Sequence, residues 1–149
     1  NCLFLPVLMA QVMMRMQLTW LGEPGPLIST KNTFKVCVVL VVAYAIYSTA
    51  LDVVNLFGDA PSYLGAFRFL GWLLFSVWSL YALCKTRENL RARYSIEEQN
   101  CAGCEDFCCS LFCTCCTAAQ LARHTGEYEK YPGACCTETG HPVGTPLVV

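Results

Sequence analysis

Two apolar segments decide the fold of this chain: Val36 to Phe57, VCVVLVVAYAIYSTALDVVNLF, and Leu64 to Cys84, LGAFRFLGWLLFSVWSLYALC. Each is long enough to span a bilayer, which needs about 20 predominantly apolar residues. In hydrocarbon an isolated segment satisfies its backbone polar groups only as a helix. Because only residues 58–63 separate the segments, they predict an antiparallel hairpin whose two ends emerge on one face of the membrane.

The composition of the whole chain agrees with a membrane location. Of its 149 residues, 55% are hydrophobic and 14% are charged, against about 25% charged residues in soluble domains. The net charge of −1 gives no basic surface of the kind that nucleic-acid-binding proteins need. We therefore predict an all-α membrane protein that contacts the lipid bilayer and does not bind nucleic acid.

Basic residues beside the two segments predict their orientation. Lysines precede the first segment and basic residues follow the second, whereas the connecting loop contains neither lysine nor arginine. The positive-inside rule then places both termini on the cytosolic side of the plasma membrane, or on the equivalent side of an organelle membrane. That side is normally reducing, so we expect free thiols there. The flanking basic residues are Lys31, Lys35, Lys85, Arg87, Arg91 and Arg93.

Each apolar segment carries one charged residue, Asp52 in the first and Arg68 in the second, at equal distances from Ala60 in the turn. In an antiparallel hairpin, equal distances from the turn mean equal depth, and a charge near the bilayer centre costs about 2.5 to 3.5 kcal/mol. We therefore predict an intramembrane ion pair that clamps the two helices. The alternative is an ion or proton path through Asp52.

The rest of the chain divides around the hairpin. Its first residues are apolar, but Gln11, Arg15 and Thr19 recur at each helical turn and form a polar edge. Such a helix is expected to lie in the headgroup layer or against other protein. The predicted organisation is an amphipathic interfacial helix over 1–22, a turn and linker over 23–35, transmembrane helices over 36–57 and 64–84 joined by the tight loop 58–63, a basic juxtamembrane segment over 85–99, a Cys-rich helical motif over 100–126 at the same membrane face, and an irregular tail over 127–149.

Seven of the twelve cysteines lie in one stretch, Cys101 to Cys116, CAGCEDFCCSLFCTCC. A helix predicted from Phe107 to about His124 would place several of them on one face. A tetrahedral zinc site needs about four sulfur or nitrogen ligands, and a Cys-x-x-Cys pair is the usual contributor. The candidate zinc ligands are Cys101, Cys104, Cys108, Cys109, Cys113, Cys116 and His124. Two alternatives remain: thiols packed as small apolar groups, and palmitoylation of juxtamembrane cysteines such as Cys84 and Cys108.

The order of residues from Tyr81 to Arg123 resembles the cysteine-rich family related to placenta-specific gene eight, which includes cornifelin and plant cell-number regulator and cadmium-resistance proteins. The resemblance rests on an apolar segment that ends in cysteine, on LRARY from Leu90 to Tyr94, and on the cysteines that follow. The Cys-Pro-Cys element with which the family usually opens is here Leu5-Pro6-Val7. The matching later residues are Cys101, Cys104, Cys108, Cys109, Cys113, Cys115, Cys116, Gln120 and Arg123.

This resemblance implies a small membrane protein that self-associates rather than an enzyme. The sequence also contains no glycine-rich phosphate loop, no Gly-x-Ser-x-Gly elbow and no His-Glu-x-x-His motif. We therefore predict a non-enzymatic scaffold or accessory subunit that contacts other membrane proteins or itself as a homo-oligomer. The alternative is a homo-oligomeric translocator of metal or other cations, of the heavy-metal-resistance or calcium-influx type, with a role in metal homeostasis.

Overall fold

A computed structural model describes residues 4–57, 63–97, 104–134 and 137–145 of the chain. The described part is helical, and its architecture follows from two long helices and four short ones. In chain order the helices are α1 (Phe4–Arg15), α2 (Leu27–Lys31), α3 (Thr33–Phe57), α4 (Tyr63–Tyr94), α5 (Glu105–Phe112) and α6 (Thr114–Thr125).

The two long helices, α3 and α4, contain the two apolar segments. They have 25 and 32 residues, which at 1.5 Å per residue gives lengths of about 37 and 48 Å. Both are long and apolar enough to cross a bilayer. Helix α4 continues past the second segment to Tyr94. Many apolar side chains on both helices are exposed to the surroundings, among them Val39, Ile46, Leu56, Phe67, Phe69, Leu74 and Val77.

Contacts between α3 and α4 join residues in opposite chain order. The rings of Tyr44 and Phe75 stack with their centroids 4.3 Å apart and an interplanar angle of 8°. Closer to the connecting loop, the Tyr47 hydroxyl donates a hydrogen bond of 2.6 Å to the Phe67 carbonyl. The Tyr47 ring also covers Gly71, where a Cβ atom would overlap the ring. Glycine at this position therefore lets the tyrosine lie flat against α4.

The hydrophobic core lies at one end of the long helices, where α1 packs against α3 and α6. Two residues of the polar edge expected on the first helix, Gln11 and Arg15, face protein and not headgroups, because they are only 5% and 2% exposed. The third, Thr19, lies beyond the end of α1. Of the two environments predicted for this helix, the structure therefore has protein, and that protein is the same chain. The core residues are Met9, Ala10, Val12, Met13, Met16, Leu18, Cys37, Ala82, Leu83, Leu90, Ala118, Leu121 and Ala122.

The segment between α1 and α2 turns tightly against α4. Gly22 has a φ of +79°, and a Cβ there would lie 2.7 Å from the Ala82 carbonyl oxygen. The Gly22 carbonyl accepts a hydrogen bond of 2.8 Å from the Asn89 side chain. Nearby, the buried Thr33 hydroxyl donates a 2.7 Å hydrogen bond to the Leu18 carbonyl. These contacts fix the start of α3 beside α1.

The Cys-rich motif forms two helices instead of the single helix predicted from Phe107 to about His124. The chain leaves helical geometry at Cys113, whose φ and ψ are −128° and 44°. Helix α5 begins at Glu105, so Asp106 lies inside its first turn. The break means that the cysteines predicted to share one helical face lie on two separate helices.

Candidate functional site

The predicted zinc ligands are spread over both short helices. Cys104 is exposed at the start of α5, Cys108 and Cys109 lie on α5, Cys113 lies at the break, and Cys116 and His124 are exposed on α6. Cys101 lies outside the described residues. Within the described ranges, no three histidine, cysteine, aspartate or glutamate side chains come together in a group that could hold a metal. Since Cys101 lies outside this comparison, zinc binding stays a prediction.

The separation along α6 explains why these ligands do not converge. His124 follows Cys113 by eleven residues, which is about 16 Å along a helix. Its ring lies against Tyr94 at the end of α4, with 6.2 Å between the ring centroids. The thiols of Cys108, Cys113 and Cys116 are free and exposed. In the described part of the chain, these thiols therefore lie on the surface and do not enclose a tetrahedral site.

An ion-pair cluster attaches the Cys-rich motif to the basic extension of α4. Arg87 Nε lies 2.8 Å from Asp106 Oδ1, and Arg91 Nη1 lies 2.9 Å from the same oxygen. Arg87 Nη2 also lies 3.4 Å from Glu105 Oε1. The four side chains are largely buried, so solvent screens these pairs less than ordinary surface pairs. The basic residues after the second segment indicate membrane orientation, but no local signal in the sequence shows that Arg87 and Arg91 also hold α5.

A second polar site surrounds the buried guanidinium of Arg15 at the end of α1. Its Nη1 donates hydrogen bonds to the Ala122 carbonyl at 3.1 Å and to the Thr125 hydroxyl at 3.4 Å. Both acceptors belong to the last turn of α6, where the carbonyl oxygens give the helix end a partial negative charge. Arg15 therefore binds α6 at the end that most favours a cation.

The same guanidinium holds the chain that follows α6. Arg15 Nε donates a 2.5 Å hydrogen bond to the Thr139 carbonyl, and Nη2 donates one of 3.0 Å to the Tyr128 hydroxyl. The guanidinium carbon also lies 5.3 Å from the centre of the Tyr128 ring, within the range of a cation–π contact. One turn earlier, Gln11 Nε2 donates a 3.0 Å hydrogen bond to the Thr137 carbonyl. Together Gln11 and Arg15 dock the tail onto α1.

His141 completes this site from the tail. The imidazole is buried between Tyr128 and Tyr131, with centroid distances of 5.3 and 6.1 Å. It donates a hydrogen bond to the Pro132 carbonyl, and its Nδ1 has no hydrogen-bond partner. Burial, followed by the nearby charge of Arg15, lowers the His141 pKa below its ordinary value of 6.5, and this outweighs the opposing effects of the Pro132 bond and of Glu127. A neutral imidazole thus suits a site that already contains a buried cation.

The charged residues of the two long helices contact each other, with Arg68 Nη1 against Asp52 Oδ1. Their side chains are 58% and 53% exposed, so the pair lies on the outer surface of α3 and α4. Each charge is neutralised by the other at the same distance from the connecting loop. The geometry accordingly favours a contact between helices over a lone carboxylate available to an ion.

Comparison with known proteins places the chain in a family. No curated protein and no solved structure matches it. The sequence profile of the PLAC8 family matches residues 1–124, a range that includes both long helices, the ion-pair cluster and the Cys-rich motif. The match ends one residue before the end of α6, so the tail docked on Arg15 lies beyond it. Because the match covers most of the 149 residues, this chain belongs to the PLAC8 family.

Proposed function

We propose that this protein is a non-enzymatic integral membrane protein that serves as a scaffold or accessory subunit of a membrane assembly. The observation that carries the proposal is the distribution of polar and apolar groups. Apolar side chains are exposed along α3 and α4, whereas the buried ion pairs and the Arg15 site are concentrated at one end. An apolar exterior of this kind is suited to lipid or to apolar helices of other proteins.

In the proposed arrangement, α3 and α4 form a transmembrane hairpin, and the other helices lie together beside the ends of the hairpin. The antiparallel contacts of Tyr44 with Phe75 and of Asp52 with Arg68 support the hairpin. Both termini then lie on the cytosolic or equivalent organellar side, as the flanking basic residues require. The Cys-rich motif would lie on that same side, held by Arg87 and Arg91.

Long-range contacts at the folded end of the molecule support the scaffold role. Its buried guanidinium, its ion pairs and its docked tail each join segments that are distant in the chain, with Arg15 and Thr139 separated by 124 positions. Such contacts hold this end of the molecule together as one packed unit beside the two apolar helices. A packed polar unit presents a surface to a partner without any requirement for a reactive group.

Three measurements on the full chain test this proposal, the first on isolated membranes and the other two on the detergent-purified protein. The protein should remain with membranes after alkaline carbonate extraction, because its two apolar helices would be embedded. Native mass spectrometry should give one or two chains with partner subunits. Elemental analysis of zinc per chain distinguishes a Cys-rich motif that binds zinc from one whose thiols only pack. Recovery in the carbonate supernatant would refute the membrane role. A defined ring of identical chains would replace the scaffold with the alternative, a homo-oligomeric cation translocator.

A further inference from the structure

We infer that the turn between α5 and α6 inserts into the hydrocarbon layer of the membrane beside α4. The inserted segment, Leu111 to Thr114, consists of the last two residues of α5, the break at Cys113 and the first residue of α6, and is called the α5–α6 tip. The inference rests on the proposed membrane function and assigns a lipid contact to the Cys-rich motif. In this arrangement the Cys-rich motif does not lie flat on the membrane face, because α5 enters the bilayer and α6 leaves it as a re-entrant pair.

The depth of the tip follows from the residues beside it. Leu111 and Thr114 line a groove of about 540 Å³ together with side chains of α4 from Trp72 to Leu80. Leu80 and Ser76 precede Cys84, the expected end of the second span, by four and eight residues. At 1.5 Å per residue these positions lie about 6 and 12 Å inside that end. The tip therefore reaches the same depth as side chains that the span would place in lipid.

The direction of the two helices agrees with this depth. Asp106, at the start of α5, contacts Arg87 and Arg91 in the basic extension of α4. Near the end of α6, His124 contacts Tyr94 of that extension. The charged and polar ends of α5 and α6 thus lie beside the aqueous part of α4, and their junction lies beside the apolar part.

The residues of the tip have the composition that hydrocarbon requires. From Phe107 to Ala122 the sequence FCCSLFCTCCTAAQLA contains no charged residue. On α5 the exposed side chains form one continuous stripe, Phe107, Cys108, Leu111 and Phe112, and Phe112 is 80% exposed. Thiols add little polarity because a free cysteine behaves as a small hydrophobic group.

Two backbone carbonyls beside the helix break have hydrogen-bond partners within the protein, as a membrane environment demands. A break frees carbonyl groups, and in lipid these must find partners within the protein, often serine or threonine hydroxyls. The Thr114 hydroxyl donates a 2.6 Å hydrogen bond to the Ser110 carbonyl, and the Thr117 hydroxyl donates one of 3.1 Å to the Cys109 carbonyl. The Cys109 carbonyl also accepts a 3.0 Å bond from the Cys113 amide. The tip bends without relying on water at these two carbonyls.

Photolabelling from within the bilayer tests the inference. The full chain is reconstituted in phosphatidylcholine vesicles that contain a phospholipid with a diazirine at the end of one acyl chain, and adducts are mapped by mass spectrometry. We expect labelling at Leu111 to Thr114 and on the two spans, with none on residues 127–134. The variant Phe112→Asp should lose about tenfold or more of the tip labelling, since an acidic side chain in hydrocarbon is costly. The matched control is Val143→Asp, because Val143 is 97% exposed in the tail.

The outcomes separate this inference from the proposal on which it rests. Labelled spans with an unlabelled tip, in vesicles where a membrane-impermeant maleimide fully modifies Cys113, would place the tip in water and overturn the inference while the membrane role stands. Unlabelled spans, with release of the protein by alkaline carbonate, would overturn both. Equal loss of tip labelling in Phe112→Asp and Val143→Asp would show that the label does not report insertion at Phe112, and the inference would be withdrawn.

Discussion

Replacing Arg15 with methionine should detach the tail from α1 and destabilise the folded end of the molecule. Methionine keeps an unbranched apolar stem and removes the guanidinium that donates to Ala122, Thr125, Thr139 and Tyr128. A hydrogen bond from a charged donor contributes about 1.5 to 3 kcal/mol. The substitution also removes the desolvation penalty of the buried cation, which is several kcal/mol. The net loss that we expect is therefore about 2 to 4 kcal/mol.

Two measurements distinguish this loss from a general weakening. Thermal unfolding in detergent gives the change in the free energy of unfolding, and hydrogen exchange read by mass spectrometry reports amide protection in residues 127–145. The matched control is Arg123→Met, since Arg123 is exposed on the same region of α6 and makes no side-chain hydrogen bond or ion pair within the described ranges. Its effect should stay within about 0.5 kcal/mol. Equal effects of the two variants, or unchanged protection of the tail in Arg15→Met, would refute the reasoning.

Three further predictions concern the tail and the long helices. Burial lowers the His141 pKa in the folded state, so as pH falls the unfolded chain takes up the proton first. The docking of the tail should therefore be fully stable above about pH 6.5 and should weaken as pH falls from there toward the folded-state pKa. Hydrogen exchange of the tail should show this decline, and His141→Asn should make tail docking independent of pH over this range. Gly140→Ala should destabilise the fold by about 1 kcal/mol or more beyond Gly144→Ala. Both glycines have a positive φ, but only at Gly140 would a Cβ meet Gln11 and the Arg15 guanidinium. Equal thermal shifts of the two variants would contradict this prediction. A double-mutant cycle of Asp52→Asn and Arg68→Gln should give a coupling above about 0.5 kcal/mol in thermal unfolding, and additive effects would mean that the ion pair does not join the helices.

The apolar helices were the most predictable part of the fold because their signal is local. Residues 36–57 and 64–84 are apolar without interruption long enough to end a helix, and the structure has α3 and α4 over both ranges. Helix α4 also continues through residues 85–94, a stretch that contains neither glycine nor proline. Local sequence was sufficient here because backbone hydrogen bonds within one segment decide the outcome.

The break at Cys113 was not predictable from local pattern. Neither glycine nor proline lies between Glu105 and Thr125, and the weak helix formers Cys and Thr are spread along this stretch, so no strong helix breaker marks the position of the break. The break coincides with hydroxyl bonds from Thr114 and Thr117 to carbonyls of the preceding helix, and such side chains compete with regular helix bonding. Whether they do so depends on packing against α4, which no short window of sequence contains.

The surroundings of α1 were equally unpredictable from local sequence. The spacing of Gln11 and Arg15 correctly indicates that they share one side of the helix, but their partners lie 107 to 126 positions later in the chain. A polar edge looks the same in sequence whether it meets headgroups or carbonyl groups of a distant tail. Only the burial of Arg15 at 2% exposure decides between the two.

The lipid-facing tip and the predicted zinc site make opposing demands on the same thiols. A cysteine binds zinc as the thiolate, and a charged group in hydrocarbon is costly. Cys113 and Cys116 lie in or next to the tip and are exposed, so in lipid they would be favoured as neutral thiols. A zinc ion held by these two residues would require the tip to leave the hydrocarbon or to be shielded by further ligands. Zinc content and tip photolabelling should therefore vary inversely, because zinc binding needs thiolates and insertion of the tip into hydrocarbon needs neutral thiols.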